Sequence, residues 1–353
     1  MNTVNLELKN KKILLIGGAG FIGHNLALEL QANGAVVTIA DGFRVNSLLN
    51  LAITNDETQD IRIYQDFLDE RLVLLRKAGV KSIILNAVDR YELAKLLNQK
   101  YDTVYLLAAV SHASRSNSDP MLAVENGLIP FTNVLSELAD RPETRLVYLS
   151  SSTVYGNFTK DSVDENDVCN PFGMYALLKY VGERILKETA EYSNLNFSVV
   201  RPSALYGERC ISRRVSQIFL ENAFAGRDLV FMGDEGEKLD FTYIKDLVQG
   251  LILTGFHPKA QGEIFNITFG DAQPVLKLPE ILREFFPGVK VRVEQRNQAT
   301  PLRGTLLNKK ARQLIGFKPS WSLELGYRNY INWYIQRSKE RTMVFNSINQ
   351  TNE

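Results

Sequence analysis

A tyrosine and a lysine, Tyr175 and Lys179, stand four residues apart in a segment with helical periodicity. At that spacing both side chains project from the same face of a helix. A phenol with a pKa near 10 is a poor base at neutral pH, and lowering that pKa by three units takes about 4 kcal/mol. One cation at about 4 Å in an effective dielectric of 20 supplies about that much. Lys179 can therefore make Tyr175 a general base, although such a pair standing alone is more often a core tyrosine beside a solvated lysine.

Three glycines, Gly17, Gly20 and Gly23, follow an apolar run and open the first predicted helix. Such a turn lets backbone approach a pyrophosphate, to which the helix N-terminus offers N–H groups. Asp41 closes the second predicted strand, where a carboxylate accepts hydrogen bonds from ribose hydroxyls and repels a 2′-phosphate. We therefore predict a dinucleotide site that prefers NAD to NADP, although Arg44 lies near enough in sequence to receive a 2′-phosphate.

Composition narrows the class of protein. The chain has 353 residues and a mass of 39.9 kDa, and its 45% hydrophobic and 23% charged residues are typical of a globular protein. A net charge of +1 disfavours nucleic acid as the main partner, because proteins that bind phosphate backbones usually carry a basic excess. Two cysteines and three histidines are few for a disulfide framework or a metal cage, so we expect no metal.

The sequence also bears on location. No apolar run reaches the length of a membrane span. Residues 1–11 lack the apolar core of a signal peptide. We therefore expect a cytoplasmic protein with no membrane partner.

The first half of the chain alternates short β-branched runs with segments of helical periodicity. This alternation predicts βαβ units and therefore an α/β fold with a doubly wound parallel sheet of the Rossmann type. The run at 13–16 has no polar break, as expected of a strand that is buried on both faces. The predicted strands are 13–16, 36–40, 82–85, 103–107, 146–149 and 197–200, and the predicted helices are 21–33, 65–77, 92–99, 122–139 and 175–192.

Beyond residue 201 turn residues become frequent and segments become short. Two segments, 240–252 and 263–268, are expected to return to the sheet. We therefore predict a division into an NAD-binding Rossmann domain of residues 1–201 plus 240–270, a smaller mixed α/β substrate-binding lobe of residues 202–239 plus 271–337, and a polar, frayed tail at 338–353.

Further motifs follow one another along nearly the whole chain. They are Gly17-x-x-Gly20-x-x-Gly23, Asn86-Ala87, Leu107-Ala108-Ala109, Asn126, the run from Ser150 to Gly156, Tyr175-x-x-x-Lys179, Arg201-Pro202 with Leu205-Tyr206-Gly207, Asp240-Phe241-Thr242-Tyr243-Ile244, and Trp333-Tyr334. Any one of them is common in unrelated chains. In this order they resemble the extended short-chain dehydrogenase/reductases, the NAD-dependent nucleotide-sugar epimerase/dehydratase family.

The resemblance implies an enzyme that binds NAD and a nucleotide-diphosphate sugar, with Ser151, Tyr175 and Lys179 as catalytic residues. It also implies a homodimer that pairs helices 122–139 and 175–192 with their symmetry mates. The implied cofactor residues are Gly17, Gly20, Phe21, Ile22, Asp41, Asn86, Ala87, Leu107, Ala108, Ala109, Tyr175, Lys179 and Pro202. The implied substrate residues are Ser111, His112, Ser152 and Arg303, although a lone histidine near a loop is more often structural.

Two departures from the family pattern narrow the reaction. Members that remove water from the sugar carry Asp-Glu after the catalytic hydroxyl residue, whereas Ser152 and Thr153 stand here. The decarboxylases of the family typically carry a glutamate in that segment, and it is also missing. Dehydration and decarboxylation are therefore disfavoured, which leaves reversible oxidation at C4.

Two other departures concern substrate binding. Leu239 stands where the family has an arginine that grips the diphosphate, and Ala204 replaces the usual asparagine. An arginine–phosphate pair contributes strong charge-assisted hydrogen bonds, so its loss must be offset elsewhere. We expect Arg303 to bind phosphate. Three more arginines could contribute, although a solvated face is the more common fate of such residues: Arg209, Arg213 and Arg214.

Several functions remain open at this point. The leading hypothesis is an NAD-dependent 4-epimerase of nucleotide sugars. The second is a 4-dehydrogenase that releases a 4-keto sugar, and a decarboxylase is less favoured. A non-catalytic NAD-sensing protein is disfavoured because Ser151, Tyr175 and Lys179 are all retained. Reduction of steroid-like or flavonoid-like substrates stays open because the diphosphate arginine is missing.

Overall fold

The computed structural model describes residues 6–43, 61–108, 116–117, 119–296 and 301–351, with side chains up to residue 341. Short strands alternate with helices through most of this part of the chain. In chain order the strands are β1 (Lys12–Ile16), β2 (Val36–Asp41), β3 (Lys81–Ile84), β4 (Thr103–Leu106), β5 (Arg145–Leu149), β6 (Ser162–Val163), β7 (Asn196–Arg201), β8 (Leu205–Tyr206), β9 (Leu229–Met232), β10 (Lys238–Leu239), β11 (Thr242–Tyr243), β12 (Glu263–Asn266), β13 (Gln273–Pro274), β14 (Val291–Glu294) and β15 (Thr305–Leu306).

The helices follow in the same way. They are α1 (Phe21–Ala32), α2 (Ile61–Lys77), α3 (Arg90–Leu97), α4 (Pro120–Ala123), α5 (Ile129–Leu138), α6 (Met174–Tyr192), α7 (Val215–Phe224), α8 (Ile244–Phe256), α9 (Lys277–Phe285), α10 (Lys309–Ile315) and α11 (Leu323–Thr351). Two 3₁₀ turns are at Ser152–Tyr155 and Pro258–Ala260. A π-helical turn at Val124–Leu128 joins α4 to α5.

The central sheet has seven strands in the order β12-β7-β5-β4-β1-β2-β3. Every neighbouring pair is parallel. Each of the strands predicted from the first half of the sequence is present, and β12 adds the edge strand expected from segment 263–268. The predicted doubly wound α/β fold is confirmed.

Strand β1 shows why the sheet is buried on both faces. Ile13 and Leu15 belong to one hydrophobic core, whereas Leu14 and Ile16 belong to the other. The first core is completed by residues of α1, α2 and α8, and the second by residues of α3, α5 and α6. An unbroken apolar run is therefore required of a strand that has helices on both sides.

The remaining strands form two-stranded pairs beside the main sheet: β8 with β11, β9 with β14, β10 with β13, and β6 with β15. The first core continues through this region, because Phe219, Leu278 and Tyr327 belong to the same cluster as Val200 and Phe265. The division of the chain into a cofactor domain and a substrate lobe stays a prediction.

The structure corrects three details of the sequence prediction. Segment 240–252 adds no strand to the main sheet: β11 pairs with β8, and α8 begins at Ile244. Its buried residues Leu247, Val248 and Leu251 have helical spacing, which explains the outcome. Helix 122–139 is interrupted by the π-helical turn that precedes Pro130, because proline has no N–H for the helical ladder.

The predicted frayed tail is the third correction, because α11 continues to Thr351. Ion pairs connect the helix to α2 at two positions around the start of the predicted tail. Arg337 lies 3.1 Å from Glu70, and Arg341 lies 3.8 Å from Asp66, both acids being on α2. Within the part of the chain that the structure describes, no helix is both long and apolar enough to span a bilayer.

Candidate active site

A cavity of about 450 Å³ opens at the carboxyl edge of the main sheet. Its floor comes from residues just beyond three strand ends: Leu107 after β4, Ser151 after β5 and Pro202 after β7. This edge is where open parallel sheets bind their ligands. Predicted site residues that line the cavity are Ile22, Leu107, Ser151, Ser152, Tyr175, Lys179, Pro202 and Arg303.

Helix α6 presents both Tyr175 and Lys179 to this cavity. The Lys179 Nζ donates a hydrogen bond to the carbonyl oxygen of Leu149 at 2.6 Å and lies 5.1 Å from the centre of the Tyr148 ring. Burial lowers the pKa of Lys179 to about 8, although the carboxylate of Glu183 acts in the opposite direction. The cation of Lys179 is therefore held inside the fold, one helical turn from the phenol.

Ser151 starts the 3₁₀ turn that follows β5. Its Oγ accepts the backbone N–H of Thr153 at 3.2 Å, which fixes the position of the hydroxyl oxygen. The hydroxyl proton is still available for donation. Ser151 can thus donate to a ligand atom in the cavity while its oxygen is held by the backbone.

The glycine turn between β1 and α1 has the shape of a dinucleotide site. Gly17 has a φ of +85°, and a Cβ placed on it would lie 2.6 Å from the backbone nitrogen of Ala108. A Cβ on Gly23 would lie 2.6 Å from the Gly17 carbonyl oxygen. No side chain of the described residues caps α1 at Gly20, so the first N–H groups of the helix, from Phe21 onward, are left for a ligand.

Asp41 fixes the far side of this turn. Its carboxylate accepts the N–H of Ala19 at 3.0 Å and the N–H of Phe43 at 2.8 Å, one on each oxygen. Burial raises the pKa of Asp41, and these two hydrogen bonds act in the opposite direction. Each oxygen keeps a further lone pair that can accept a ribose hydroxyl.

A residue that the sequence did not single out holds the strand end after β3. Asn133 of α5 donates from its Nδ2 to the carbonyl oxygens of Ala87 and Val88, at 3.0 and 3.2 Å. The motif residue Asn126 instead donates to the Leu122 carbonyl within its own helix. The Asn86 side chain is exposed and accepts the Val88 N–H at 3.2 Å.

Another wall of the cavity carries cationic groups, one of which reaches Ser152, the residue after Ser151. Arg303 donates to the Ser152 Oγ at 3.3 Å, and Arg214 also lines the cavity. Burial, together with the positive charge of Arg214, lowers the pKa of Arg303 to about 10. Two guanidinium groups that repel each other in this way form a site for an anion. Glu237 lies on the same wall and pairs with Arg296 at 3.7 Å.

The family departures noted in the sequence lie at this wall. Leu239 and Ala204 both line the cavity. Ala204 has a φ of +35°, which is a strained value for alanine and one that asparagine tolerates better. The loss of the usual asparagine therefore leaves backbone strain in place without the side-chain amide.

The arginines expected on a solvated face lie elsewhere. Arg209 donates from its Nε to the His24 Nε2 at 3.0 Å and pairs with Glu70 at 3.3 Å. Arg213 lies 3.7 Å from Glu221. Both are mostly buried, so the solvated-face expectation is wrong for them, and Arg214 is exposed toward the cavity. Four residues named in the sequence prediction lie outside the described residues: Arg44, Ala109, Ser111 and His112.

Most residues of the cavity wall that contains Arg214 and Glu237 were not predicted from the sequence. Phe231, Met232 and Val275 are ordinary apolar residues of short segments, and nothing in their spacing marks them as cavity residues. Glu237 lies two residues before Leu239, and a search for charges flanking the missing arginine would have found it. One feature could have identified Asn133, namely that it is a polar residue on the otherwise buried face of α5.

Comparison with known proteins gives this arrangement its context. A family model described as the NAD dependent epimerase/dehydratase family matches residues 13–268. The chain belongs to this family. It is an NAD-dependent enzyme of the nucleotide-sugar epimerase and dehydratase type, as the motifs predicted. The glycine turn fits NAD, because neighbouring backbone atoms lie so close to Gly17 and Gly23 that a Cβ would not fit there. The Asp41 carboxylate beside the turn fits NAD as well.

Similar members of the family differ in their sugars. The chain is 25% identical over 325 residues to a putative UDP-glucose 4-epimerase of Methanocaldococcus jannaschii, covering 91% of this chain and 97% of that protein. It is 25% identical to a UDP-N-acetyl-alpha-D-glucosaminuronate decarboxylase of Bacillus cytotoxicus, covering 92% and 98%. A solved structure of a UDP-glucuronic acid 4-epimerase from Bacillus cereus, in complex with UDP-glucuronic acid and NAD, has a TM-score of 0.79 at 22% identity, covering 92% and 99%.

Proposed function

We propose that this chain oxidises C4 of a nucleotide-diphosphate sugar and that its net reaction is 4-epimerisation. One observation carries the proposal. Ser151, Tyr175 and Lys179 share one cavity with the paired cations Arg214 and Arg303. A substrate that joins a sugar hydroxyl to a diphosphate suits this combination of groups.

Tyr175, Lys179 and Ser151 have separate roles in the proposed reaction. When bound, NAD would supply the two-electron chemistry, accepting the C4 hydrogen as hydride and returning it to C4 on the return step. Tyr175 accepts the proton of the C4 hydroxyl, and the Lys179 cation favours the phenolate that does so. Ser151 donates its hydroxyl proton to the same sugar oxygen, which holds that oxygen in place. On the return step Tyr175 gives the proton back and re-forms the alcohol.

The groups beside Ser151 support epimerisation over elimination. Ser152 and Thr153 both line the cavity, and neither has a carboxyl group that could protonate a leaving hydroxyl. Ser152 instead accepts a hydrogen bond from Arg303. The nearest carboxylate on the cavity wall, that of Glu237, is paired with Arg296.

A second candidate, a 4-dehydrogenase that releases the ketone, is favoured by one feature. Epimerisation requires the nucleotide to be held while the sugar presents its other face. Leu239 offers apolar surface at the wall where the family has an arginine, and Ala204 offers no amide. A weaker hold on the nucleotide would allow the 4-keto sugar to leave before it is reduced.

The two outcomes can be separated with deuterium. Purified protein is first incubated with UDP-, dTDP-, GDP- and CDP-sugars, and products are followed by mass spectrometry and NMR. The sugar that reacts is then prepared with deuterium at C4 and used under single-turnover conditions. Deuterium returned to C4 with inverted configuration is the expected result. Accumulation of a 4-keto sugar that has lost its deuterium would instead establish the dehydrogenase, and no reaction with any nucleotide sugar would contradict both.

A further inference from the structure

A buried ion pair lies directly behind the catalytic residues. Glu183 follows Lys179 by one turn of α6, and Arg201 ends β7. The Arg201 Nε and Nη2 donate to the two carboxylate oxygens of Glu183 at 2.9 and 2.5 Å, and the side chains are only 3% and 2% exposed. A buried pair of this kind is weak evidence for stability, because apolar residues of similar volume often serve as well or better. The presence of this ion pair therefore calls for an explanation other than stability.

The Glu183 carboxylate also reaches the strand end that carries Ser151. The Ser150 Oγ donates to the Glu183 Oε1 at 2.5 Å, and Ser150 is the residue between β5 and Ser151. One carboxylate thus joins the end of β5 to α6, the two elements that carry the proposed catalytic groups. On its other side Arg201 donates to the Tyr155 hydroxyl at 2.8 Å.

The charges around Lys179 give this carboxylate an electrostatic role. From β5, Lys179 faces the Leu149 carbonyl oxygen and the Tyr148 ring, neither of which is charged. From its own helix it faces Tyr175 and Glu183. Burial lowers the pKa of Lys179, and Glu183 is the acidic group that raises it. The cation of the proposed Tyr–Lys pair therefore depends on a carboxylate that does not line the cavity.

We propose that Glu183 is a positioning residue that keeps Lys179 protonated and holds the Ser150–Ser151 strand end against α6, with Arg201 keeping Glu183 ionised in turn. This inference rests on the proposed function, in which a charged Lys179 favours the Tyr175 phenolate. Without the Glu183 charge, Lys179 would lose its proton at lower pH, and Tyr175 would lose the cation that makes it a usable base.

The test reads Lys179 directly and needs no substrate. Protein labelled with ¹³C-lysine and saturated with NAD is titrated with base, and the Lys179 signal is assigned by its disappearance in Lys179→Met. Three variants are compared with wild type: Glu183→Gln, Glu183→Asp and the double variant Glu183→Gln/Arg201→Gln. The double variant leaves no unpaired buried charge, so it protects the test against loss of folding in Glu183→Gln.

The expected result is a Lys179 midpoint about one pH unit lower in Glu183→Gln, because a single charge is lost one helical turn away. The double variant also loses the positive charge of Arg201, so its midpoint should fall by less. Glu183→Asp retains the charge and should titrate like wild type. An unchanged midpoint in Glu183→Gln, or in the double variant if Glu183→Gln does not fold, would overturn the inference, as would an equal shift in Glu183→Asp. Absence of turnover on every nucleotide sugar in wild type would overturn the proposed function instead, since the lysine titration does not depend on it.

Discussion

Tyr175 carries the proposed proton transfer, and the proposal assigns the activation of its phenol to the buried cation of Lys179. Lys179 is only 6% exposed, yet it is the cation nearest to Tyr175 on the same helix face. A lysine whose pKa is about 8 is protonated at neutral pH but changes its charge readily with its surroundings. The acid–base role of Tyr175 and the charge of Lys179 can therefore be examined in separate experiments.

Removal of the Tyr175 hydroxyl should abolish turnover and leave binding intact. Tyr175→Phe keeps the ring that lines the cavity and removes the group that takes the proton, so kcat should fall about 10²–10⁴-fold. The Kd for NAD, measured by calorimetry, should change little. Tyr180→Phe, on the same helix but outside the cavity lining, is the matched control and should retain activity. A Tyr175→Phe enzyme with more than a tenth of wild-type kcat would mean that another group is the base.

The buried charge of Lys179 should also affect stability in a defined pH window. Its pKa is lower in the folded chain (about 8) than in the unfolded chain (10.5), so the unfolded state binds more protons between those values. The unfolding free energy of the wild type should therefore rise with pH across this window, relative to Lys179→Met. Between pH 7 and 10 the difference between the two proteins should change by about 2–3 kcal/mol.

This linkage can be measured by urea unfolding of the NAD-free proteins at several pH values. Lys187→Met is the matched control, because Lys187 is exposed on the same helix and should show no such pH dependence. A difference between wild type and Lys179→Met that stays constant with pH would show that Lys179 is not held at a lowered pKa.

At the scale of elements, α4 and α6 present an apolar surface with no partner in the described part of the chain. Met121 and Leu122 of α4 are 69% and 36% exposed, and Leu177 of α6 is 43% exposed. Other apolar residues of α5 and α6 are used in the chain's own core, among them Phe131, Val134 and Leu186. The free surface is therefore narrower than the sequence indicated, and it lies where these two helices pack together.

We expect this surface to form the homodimer contact, in a four-helix arrangement. Met121→Glu combined with Leu177→Glu would place charges in that contact and should convert a dimer into a monomer by sedimentation equilibrium. Leu325→Glu, at a leucine of α11 that is 53% exposed, is the control and should leave the dimer unchanged. A wild-type protein that sediments as a monomer at micromolar concentration would contradict the expectation.

Elements with a strong local pattern were predictable, and those fixed by distant contacts were not. The unbroken apolar run at 13–16 predicts a buried strand, and the helical periodicity around Tyr175 and Lys179 predicts their helix. Segment 240–252 begins with the β-prone residues Phe241, Thr242 and Tyr243, and its helical spacing appears only farther along. The tail at 338–353 is polar in sequence, whereas in the structure α11 continues through it, and Arg337 and Arg341 pair with acids of α2 that are about 270 residues away in sequence.

At the scale of the whole molecule, part of the active site can be predicted from local sequence patterns, and part depends on contacts between distant segments. One half of the cavity, with Leu107, Ser151 and Pro202, follows strand ends of a regular sheet, so its position can be inferred from strand order. The other half, with Arg214 and Glu237, comes from short segments that only tertiary packing brings together. The sequence could therefore indicate the half of the cavity that carries the proposed catalytic residues, whereas the arrangement of the other half became visible only in the structure.

The contact between α2 and α11 has a consequence for how the chain is made. Phe67 of α2 lies 5.0 Å from the Trp333 ring and 6.2 Å from the Tyr334 ring, between ring centres. Ribosomes add about 5–20 residues per second, so on the order of tens of seconds pass between the synthesis of Phe67 and that of its partners. During that time the apolar face of α2 has no cover from α11.

A nascent chain halted at residue 322, just before α11, should consequently be cut by protease within α2 and bound by chaperones. A halted chain that includes all of α11 should resist both, which pulse proteolysis of ribosome-bound chains would measure. Equal resistance of the two chains would mean that the Rossmann half folds without its last helix. If the difference is found, α2 stays open to proteases and chaperones on the ribosome until α11 has been made.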